Sequence, residues 1–287
     1  MDDEGRKYTL RSSPSVSSAM NQPNLFNDTP TIAPNLHLGT QGFTYPSWVG
    51  SFYAPGTPSS AFLERYAAQF ATVELDTTFY AVPRLSTITG WRERTPDGFQ
   101  FAAKFPQAIT HQKALVDCAA ETVSFLDQMT HLDSKLGPLL LQMPPSWGSG
   151  AFEALAAFLG SLPTSFKYAL EVRHKSWLAP AVLSKLLGLL QRQSVALCLV
   201  QHAWMPALDE VTAPFVYVRW LGRREDIPDD DFSRVRINRD VQLDRWAEQI
   251  RGYLAAGLIV YGYFNNHYQG HSPASVRALQ ARLLDIA

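Results

Sequence analysis

The sequence predicts an α/β fold, a TIM-type (β/α)8 parallel barrel in a single domain. Short hydrophobic runs alternate with stretches of helical periodicity, and eight such units of about 30 residues each follow one another. No Ser/Gly-rich linker interrupts them, and a length of 287 residues fits one barrel. A doubly wound open sheet is the alternative. Its Gly-rich phosphate fingerprint is missing after the first strand, where the chain reads GTQG.

The chain begins with a predicted disordered leader, residues 1–34. This segment is rich in Ser, Pro, Asn and Thr and has no hydrophobic period, and Met20 is an alternative start. The barrel domain is predicted over residues 35–287. Near-continuous hydrophobic runs, typical of buried parallel strands, lie at 36–40, 72–76, 99–104, 138–143, 167–172, 194–200, 214–220 and 258–264.

Helical stretches follow the strand candidates. Apolar residues recur in them at helical spacing, which predicts one face packed on the barrel. The last helix is predicted to start with Ser272 as its N-cap and Pro273 at its first position. Examples of the earlier helical stretches lie at 59–70, 123–136, 151–162, 178–193 and 243–257.

Composition limits the partners and the location that we expect. Apolar residues make up 46% and charged residues only 18%, which favours a large interior. The net charge of -1 provides no global field for a polyanion or an anionic membrane, so extended nucleic-acid binding is not expected. The N-terminus has no apolar signal region, and no window approaches 18 uninterrupted apolar residues. We therefore expect a cytoplasmic protein without a membrane partner.

Alternation along the strands predicts which side chains face the lumen. Successive side chains point alternately to the helix layer and to the lumen, and active sites of this fold lie at the carboxyl ends of the strands. In TVELD, Glu74 and Asp76 point inward while Val73 packs outward. Three acidic and three basic side chains meet at this mouth, which predicts a ligand site; a salt-bridge network that merely closes the barrel is the structural alternative. The inward polar residues are Glu74, Asp76, Lys104, Gln142, Glu171, Arg173, Tyr217, Arg219 and Asn265.

The loops after strands two to five bring further side chains to the same end of the barrel. Aromatic rings beside amides and cations suit a sugar, a nucleobase or a phosphorylated compound. A single tryptophan in a loop more often caps the packing, so each residue is weak evidence when taken alone. These side chains are Tyr80, Thr110, His111, Trp147, His174 and Trp177.

Seven segments of the chain stand in an order that is highly specific. They read GTQGFTYPSWVGSFY, VELDTTFYAVP, FAAKFPQAITH, KLGPLLLQMPPSW, LEVRHKSW, PFVYVRWLG and YGYFNNHYQG. In this order they resemble the YecE-like family, catalogued as domain of unknown function 72. The resemblance runs from about residue 36 to the C-terminus. It implies a TIM-type barrel, in agreement with the strand count, and leaves the activity open.

The resemblance can be carried over residue by residue, with some departures. A mechanism that uses the family's missing histidine or strand-six acid is not expected in this chain. The departures are Asp76 for Asn, Gln41 and Phe43 for Ser and an indole, Leu221 for His, and Gln201 and His202 for an acidic residue. The matching positions are Gly39, Thr40, Gly42, Tyr45, Glu74, Thr78, Phe79, Tyr80, Lys104, Thr110, His111, Glu171, Arg173, His174, Trp177, Arg219, Asn265 and Asn266.

The charged mouth favours an enzyme that acts on a small anionic or polyhydroxylated substrate, such as a sugar phosphate or a nucleotide-like molecule. The reaction class would be that of a hydrolase, a lyase or an isomerase, and neither a cofactor nor a metal is predicted. Glu74 and Glu171 are the predicted acid/base pair, and Lys104 and His174 complete the predicted catalytic residues. The predicted substrate-binding residues are Thr40, Tyr45, Asp76, Tyr80, His111, Gln142, Arg173, Trp177, Tyr217, Arg219, Asn265, Asn266 and His267.

Two alternatives from other classes stay open at this point. A metal-dependent hydrolase or endonuclease-like barrel would draw its ligands from the histidines and carboxylates of the mouth, although no H-x-H, H-x-x-x-H or D-x-H pairing occurs. A non-catalytic binder would hold a nucleotide, a sugar phosphate or a nucleic acid. The candidate metal ligands are His111, His174, His267, Glu74, Asp76 and Glu171.

Overall fold

Eight parallel strands close into one barrel in the order of the sequence. The structure is a computed structural model, and it describes residues 33–202, 205–227 and 231–284. The last strand pairs with the first, so the sheet has no open edge. The predicted (β/α)8 barrel is confirmed, and the strand bounds differ from the predicted ones by at most two residues. The strands are β1 Leu36–Gln41, β2 Thr72–Leu75, β3 Gln100–Lys104, β4 Leu136–Gln142, β5 Tyr168–Glu171, β6 Ala196–Gln201, β7 Phe215–Trp220 and β8 Ile259–Phe264.

Helices surround this barrel. In the described residues of the connection from β6 to β7 no α-helix forms, whereas an α-helix lies in each of the other connections and another follows β8. The stretch predicted at 123–136 ends earlier than expected, because Asp133 takes a φ of +54°, which a right-handed helix cannot contain. The helices are α1 Phe62–Ala67, α2 Leu85–Glu93, α3 Ala119–Thr130, α4 Phe152–Ser161, α5 Pro180–Arg192, α6 Asp240–Ala255 and α7 Ser272–Leu284.

The start of α7 differs from the prediction. Ser272 is the first residue of the helix, and both its backbone N and its Oγ donate hydrogen bonds to Oδ1 of Asn266, at 3.0 and 2.7 Å. The capping acceptor is therefore the Asn266 side chain and not the Ser272 hydroxyl. An asparagine that satisfies an otherwise unpaired N–H at a helix start stabilises the helix by about 1 kcal/mol.

Two cores lie on opposite sides of the strands, as the alternation along the strands predicts. Phe101 and Ala103 pack outward against the helices, whereas Ala102 between them belongs to the lumen. Gly262 of β8 faces outward where any Cβ would come within 2.8 Å of Trp220 and Leu38. The lumen core consists of Ala102, Leu140, Ala169, Ala196, Cys198, Phe215, Tyr217, Tyr261 and Tyr263.

The structure tests neither the predicted leader nor the predicted location. The leader predicted over residues 1–34 falls outside the described residues up to residue 32, so its disorder stays a prediction. Of the helices in the described ranges, none is both long and apolar enough to cross a membrane. The cytoplasmic location also stays a prediction.

Candidate functional site

A cavity of about 310 Å³ opens at the carboxyl ends of the strands. This is the end of the barrel at which the polar inward residues were predicted, and the volume suits a small molecule. Most of the cavity wall is polar or charged. The cavity is lined by Gln41, Asp76, Tyr80, Lys104, Gln142, Arg173, His202, Arg219, Leu221, Gly222, Arg224, Glu225, Asn265 and His267.

Arg219 of β7 forms the centre of the cavity floor and holds two carboxylates. Its Nε and Nη2 donate to the two oxygens of Glu74 at 3.1 and 2.8 Å, and its Nη1 donates to Glu171 Oε2 at 2.6 Å. Arg219 is only 2% exposed. Because Glu74 lies near the end of β2 and Glu171 ends β5, this one guanidinium joins two separate sides of the barrel. Such charge-assisted contacts are strong and fix the geometry of all three groups.

Glu74 lies wholly within the protein. Besides the two bonds from Arg219, its Oε2 accepts a hydrogen bond from Tyr217 Oη at 2.6 Å. Burial raises the pKa of Glu74, and the charge of Arg219 offsets only part of that rise. Tyr217 thus has a defined role in the floor, where it supports the carboxylate from below.

The pKa of Glu171 is shifted in the direction opposite to that of Glu74. Arg173 Nε donates to its Oε1 at 2.5 Å, and Gln142 Nε2 lies 3.2 and 3.1 Å from its two oxygens. Burial alone would raise the pKa of Glu171, but the guanidinium groups of Arg173 and Arg219 outweigh this effect and hold the pKa well below its usual range. The two glutamates that share Arg219 therefore have pKa values shifted in opposite directions.

Lys104 and Asp76 form the wall above this floor. Lys104 Nζ lies 3.5 Å from Asp76 Oδ1 and 4.5 Å from the centre of the Phe79 ring. The hydroxyl of Thr78 ties the end of β3 to the loop after β2, because it accepts from Lys104 N at 3.1 Å and donates to Lys104 O at 2.8 Å. Burial lowers the pKa of Lys104, and the neighbouring Asp76 offsets part of this shift.

An amide pair forms the part of the wall at β8 and β1, next to β2. Asn265 Nδ2 donates to Gln41 Oε1 at 3.0 Å, and Asn265 Oδ1 accepts from His267 N at 2.9 Å. Any Cβ at Gly222, in the loop after β7, would lie 1.6 Å from the His267 carbonyl oxygen. A glycine is therefore required where the loops after β7 and β8 meet, and this close approach positions the Asn265 side of the cavity.

Comparison with known proteins decides the family. The family described as "Protein of unknown function DUF72" matches residues 37–286 of this chain. The chain belongs to the DUF72 family. A curated relative, the UPF0759 protein YunF of Bacillus subtilis (strain 168), is 31% identical over 266 residues, which cover 82% of this chain and 91% of YunF. The UPF0759 protein YecE of Escherichia coli (strain K12) is 40% identical over 144 residues, and this match spans only half of each of the two chains.

Solved structures of other DUF72 proteins have the same fold. A DUF72 family protein from Thermotoga maritima MSB8 is 25% identical and gives a TM-score of 0.69, with 85% of this chain and 96% of the other covered. A DUF72 family protein from Enterococcus faecalis V583 is 20% identical with a TM-score of 0.69, and the match covers 86% and 95% of the two chains. At this identity the second comparison supports the fold alone.

The predicted site residues of this DUF72 chain fall into three groups. The first group lines the cavity as predicted: Asp76, Tyr80, Lys104, Gln142, Arg173, Arg219, Asn265 and His267. The second group, Glu74, Glu171 and Tyr217, forms the floor beneath it and is at most 1% exposed. The third group does not line the cavity: Thr40, Tyr45, His111, His174, Trp177 and Asn266.

Thr40 and Tyr45 are not on the cavity wall. Alternation along β1 turns Gln41, and not Thr40, toward the lumen. Thr40 Oγ1 donates to the Gly42 carbonyl at 2.6 Å and lies 2.9 Å from Tyr66 Oη. Tyr45 Oη donates to the Gln41 carbonyl at 2.9 Å, so it holds the residue that does face the cavity. Applying the alternation rule to the first strand would have identified Gln41.

Trp177 and Asn266 are packing and capping residues. Trp177 is fully buried, stacks on Trp147 with ring centres 4.8 Å apart and donates to the Trp147 carbonyl at 2.9 Å. Asn266 is 2% exposed, and its Oδ1 accepts from Trp48 Nε1 as well as from Ser272. Neither side chain lines the cavity, so the geometry gives no support to the predicted contact of these two residues with a substrate, which stays a prediction.

His111 and His174 also lie away from the cavity wall. His111 shares a hydrogen bond of 2.9 Å with Thr110 Oγ1 and packs edge-on against Phe79, behind the wall. His174 is exposed, and its Nδ1 accepts from Ser176 N at 3.1 Å to cap its own short helical turn. In residues 33–202, 205–227 and 231–284, no group of three or more His, Cys, Asp or Glu residues has an arrangement that could hold a metal ion.

Several residues of the cavity wall were not among the predicted binding residues. Gln41 and His202 had been noted only as departures from the family pattern, and Arg224 and Glu225 come from the charged loop after β7. Burial and the charge of Arg173 lower the pKa of His202 to about 4, so its imidazole is neutral at physiological pH. Its position directly after β6 was the available signal, since this fold collects its functional side chains there.

Proposed function

We propose that this DUF72 protein is an enzyme that acts on a small anionic or polyhydroxylated molecule in the cavity at the barrel mouth. The observation that carries the proposal is the convergence of Lys104, Arg173 and Arg219 on one small cavity beside Asn265. Cations beside an amide favour a ligand with negative charge and with hydroxyl or carbonyl groups.

Arg173 is the proposed anchor for the anion. Among the described residues every hydrogen bond that it makes comes from Nε, which leaves its two Nη atoms for a ligand. Its side chain is 28% exposed, compared with 3% for Arg219, whose three nitrogens all donate to carboxylates. A guanidinium that is oriented by a buried carboxylate and is open on its other edge suits a bidentate contact with a carboxylate or a phosphate.

The acid/base work is better assigned to Asp76 and Lys104 than to the two glutamates. Every carboxylate oxygen of Glu74 and Glu171 already accepts hydrogen bonds from protein donors. We therefore propose that the glutamates are positioning residues, which hold Arg219 and Arg173 in place. Asp76, with its side chain 33% exposed, and Lys104 reach the cavity and can exchange protons with a ligand.

A ligand screen tests this proposal. The purified chain is unfolded thermally with inorganic phosphate, sugar phosphates, nucleotides and neutral sugars. We expect an anionic compound to raise the unfolding temperature, because saturation at about 100 times the Kd adds about 2.7 kcal/mol to the free energy of unfolding. Arg173→Ala should abolish this shift, and Arg245→Ala, an exposed arginine of α6, should retain it.

The same screen separates the competing functions. Each stabilising compound is incubated with the protein and then analysed by mass spectrometry for conversion. A compound that binds through Arg173 and returns unchanged would favour a non-catalytic binder. Stabilisation by divalent metal ions, with conversion abolished by a chelator, would favour the metal-dependent hydrolase. No stabilisation by any anion, or equal stabilisation of Arg173→Ala, would contradict the proposed site.

A further inference from the structure

Lys104 is the one lysine on the cavity wall within the part of the chain that the structure describes. It ends β3, and its side chain is 10% exposed. An arginine would hold an anion there equally well, and three arginines, Arg173, Arg219 and Arg224, already line the cavity. A lysine differs from them because its amine can lose a proton and become a nucleophile. The arginines of the wall can bind the anion, so the amine of Lys104 is available for covalent chemistry.

The surroundings of Lys104 provide what a nucleophilic amine requires. Burial lowers its pKa, and the cation Arg219 adds to this effect, against the charge of Asp76. Asp76 Oδ1, 3.5 Å from Nζ, is buried and has no hydrogen-bond partner among the described residues. A carboxylate oxygen in this position is available to take a proton from the amine and to return it to a leaving group.

We propose that Lys104 captures the carbonyl group of its substrate as an imine, so that the substrate is a small aldehyde or keto compound that also carries an anionic group. This inference rests on the proposed function, because it uses the same cavity and assigns the anionic group to Arg173. It narrows the substrate class to carbonyl compounds and the chemistry to a lyase or isomerase type that begins with imine formation.

The proposed steps need no oxidant, reductant or metal. Asp76 first takes a proton from the Lys104 ammonium group. The neutral Nζ then attacks the carbonyl carbon, a C–N bond forms, the C=O π pair moves to the oxygen, and a proton passes from the attacking nitrogen to that oxygen to give a carbinolamine. The nitrogen lone pair forms the C=N bond as the C–O bond breaks, and the hydroxyl leaves as water with the proton held by Asp76. The products are a protonated imine on Lys104, one water molecule and the Asp76 carboxylate.

Borohydride trapping tests this inference. The full chain is incubated at neutral pH with glyoxylate, pyruvate or glycolaldehyde phosphate, each with sodium borohydride, and is then digested and analysed by mass spectrometry. Reduction of the imine adds the mass of the carbonyl compound minus one oxygen. We expect at least about tenfold more modification at Lys104 than at Lys185, an exposed lysine of α5, because the cavity holds the probe beside Lys104 and so raises its effective concentration there.

A matched variant, measured in both the trapping experiment and the thermal screen, separates imine formation from anion binding. Lys104→Arg keeps the positive charge but cannot form the imine, so it should lose the trapping and keep the anion-dependent stabilisation. Because the comparison of Lys104 with Lys185 is made in the wild-type chain, it decides the question even if this variant does not fold. Anion stabilisation through Arg173 without preferential trapping at Lys104 by any of the three probes would overturn the imine and leave the proposed function standing. Trapping at Lys104 that is as strong in Arg173→Ala as in the wild type would support the imine and contradict the anionic substrate.

Discussion

The two ends of the barrel lumen are filled by different chemistry. At the amino end of the strands, the rings of His37 and Tyr261 stack 4.8 Å apart and Phe215 packs edge-on against Tyr261. At the carboxyl end, Arg219 joins two glutamates, with further charges above them. The strands are continuous between these ends and the alternation is the same, so the difference lies only in which side chains occupy the inward positions.

The free energy of filling the lumen differs between the two ends. Apolar and aromatic layers fill a lumen at a favourable free energy of transfer, whereas buried ion pairs recover little more than the cost of desolvating their charges. A barrel that needed only to be closed could use the chemistry of its amino end at both ends. The charged end with its cavity is therefore the part of the molecule in which we propose the functional site, and the aromatic end is the part that folding explains.

The largest expected effect comes from removing the charge of Arg219, which joins the two glutamates at the carboxyl end of the barrel. Arg219→Met would leave Glu74 and Glu171 buried without their common partner. We expect the free energy of unfolding to fall by about 3 to 5 kcal/mol, because an uncompensated buried charge is strongly unfavourable. Urea unfolding at low and high salt measures this, and the loss should change little with salt because the site is screened from solvent.

The control removes all three charges together. A variant with Arg219→Met, Glu74→Gln and Glu171→Gln should recover a large part of the lost stability, since it leaves no unpaired charge in the floor. A loss below about 1 kcal/mol for Arg219→Met alone, the value of an exposed pair, would contradict the description of this end as a buried ionic floor.

A smaller effect is expected from the one imidazole in the aromatic end. Burial, together with the charge of Lys167, lowers the pKa of His37 to about 4, and its Nδ1 has no hydrogen-bond partner among the described residues. The unfolded chain therefore binds this proton more readily than the folded chain. Stability due to a neutral His37 is present above about pH 6.5 and is lost as the pH falls toward 4, by up to about 3 kcal/mol.

His37→Phe isolates this contribution because it keeps a ring against Tyr261. We expect the variant to lose less stability than the wild type between about pH 7 and pH 4, by chemical unfolding at each pH. His37→Gln is the polar comparison, since it removes both the ring and the titration. Parallel pH curves for the wild type and His37→Phe would show that folding does not lower the pKa of His37.

The same contrast explains how much the sequence could predict. The strands were predicted to within two residues because each is a hydrophobic run bounded by polar loops. Alternation then correctly turned Lys104, Arg219 and Asn265 toward the cavity. These predictions follow from a period of two along a strand, which is local information.

The remaining site residues depend on contacts between distant segments. The amides Asn265 and Asn266 are adjacent, yet the first faces the cavity and the second caps α7. Glu74 and Glu171 were correctly turned inward, but only the structure reveals that Arg219 covers both of them. Whether a polar side chain meets a ligand or another protein group is decided by a partner far away in sequence, which alternation cannot supply.

The smallest expected effect comes from the rim of the charged end. Tyr80 is 71% exposed, packs edge-on against Phe79 and lines the cavity, so its ring is available to stack on a ligand. We expect Tyr80→Ala to weaken sugar-phosphate or nucleotide binding by about fivefold, since such ring contacts contribute about 1 kcal/mol. Isothermal titration measures this, and Tyr80→Phe should retain most of the affinity. Inorganic phosphate has no ring, so its binding should stay unchanged, and an equal loss for phosphate would mean that Tyr80 acts through the charged wall rather than by stacking.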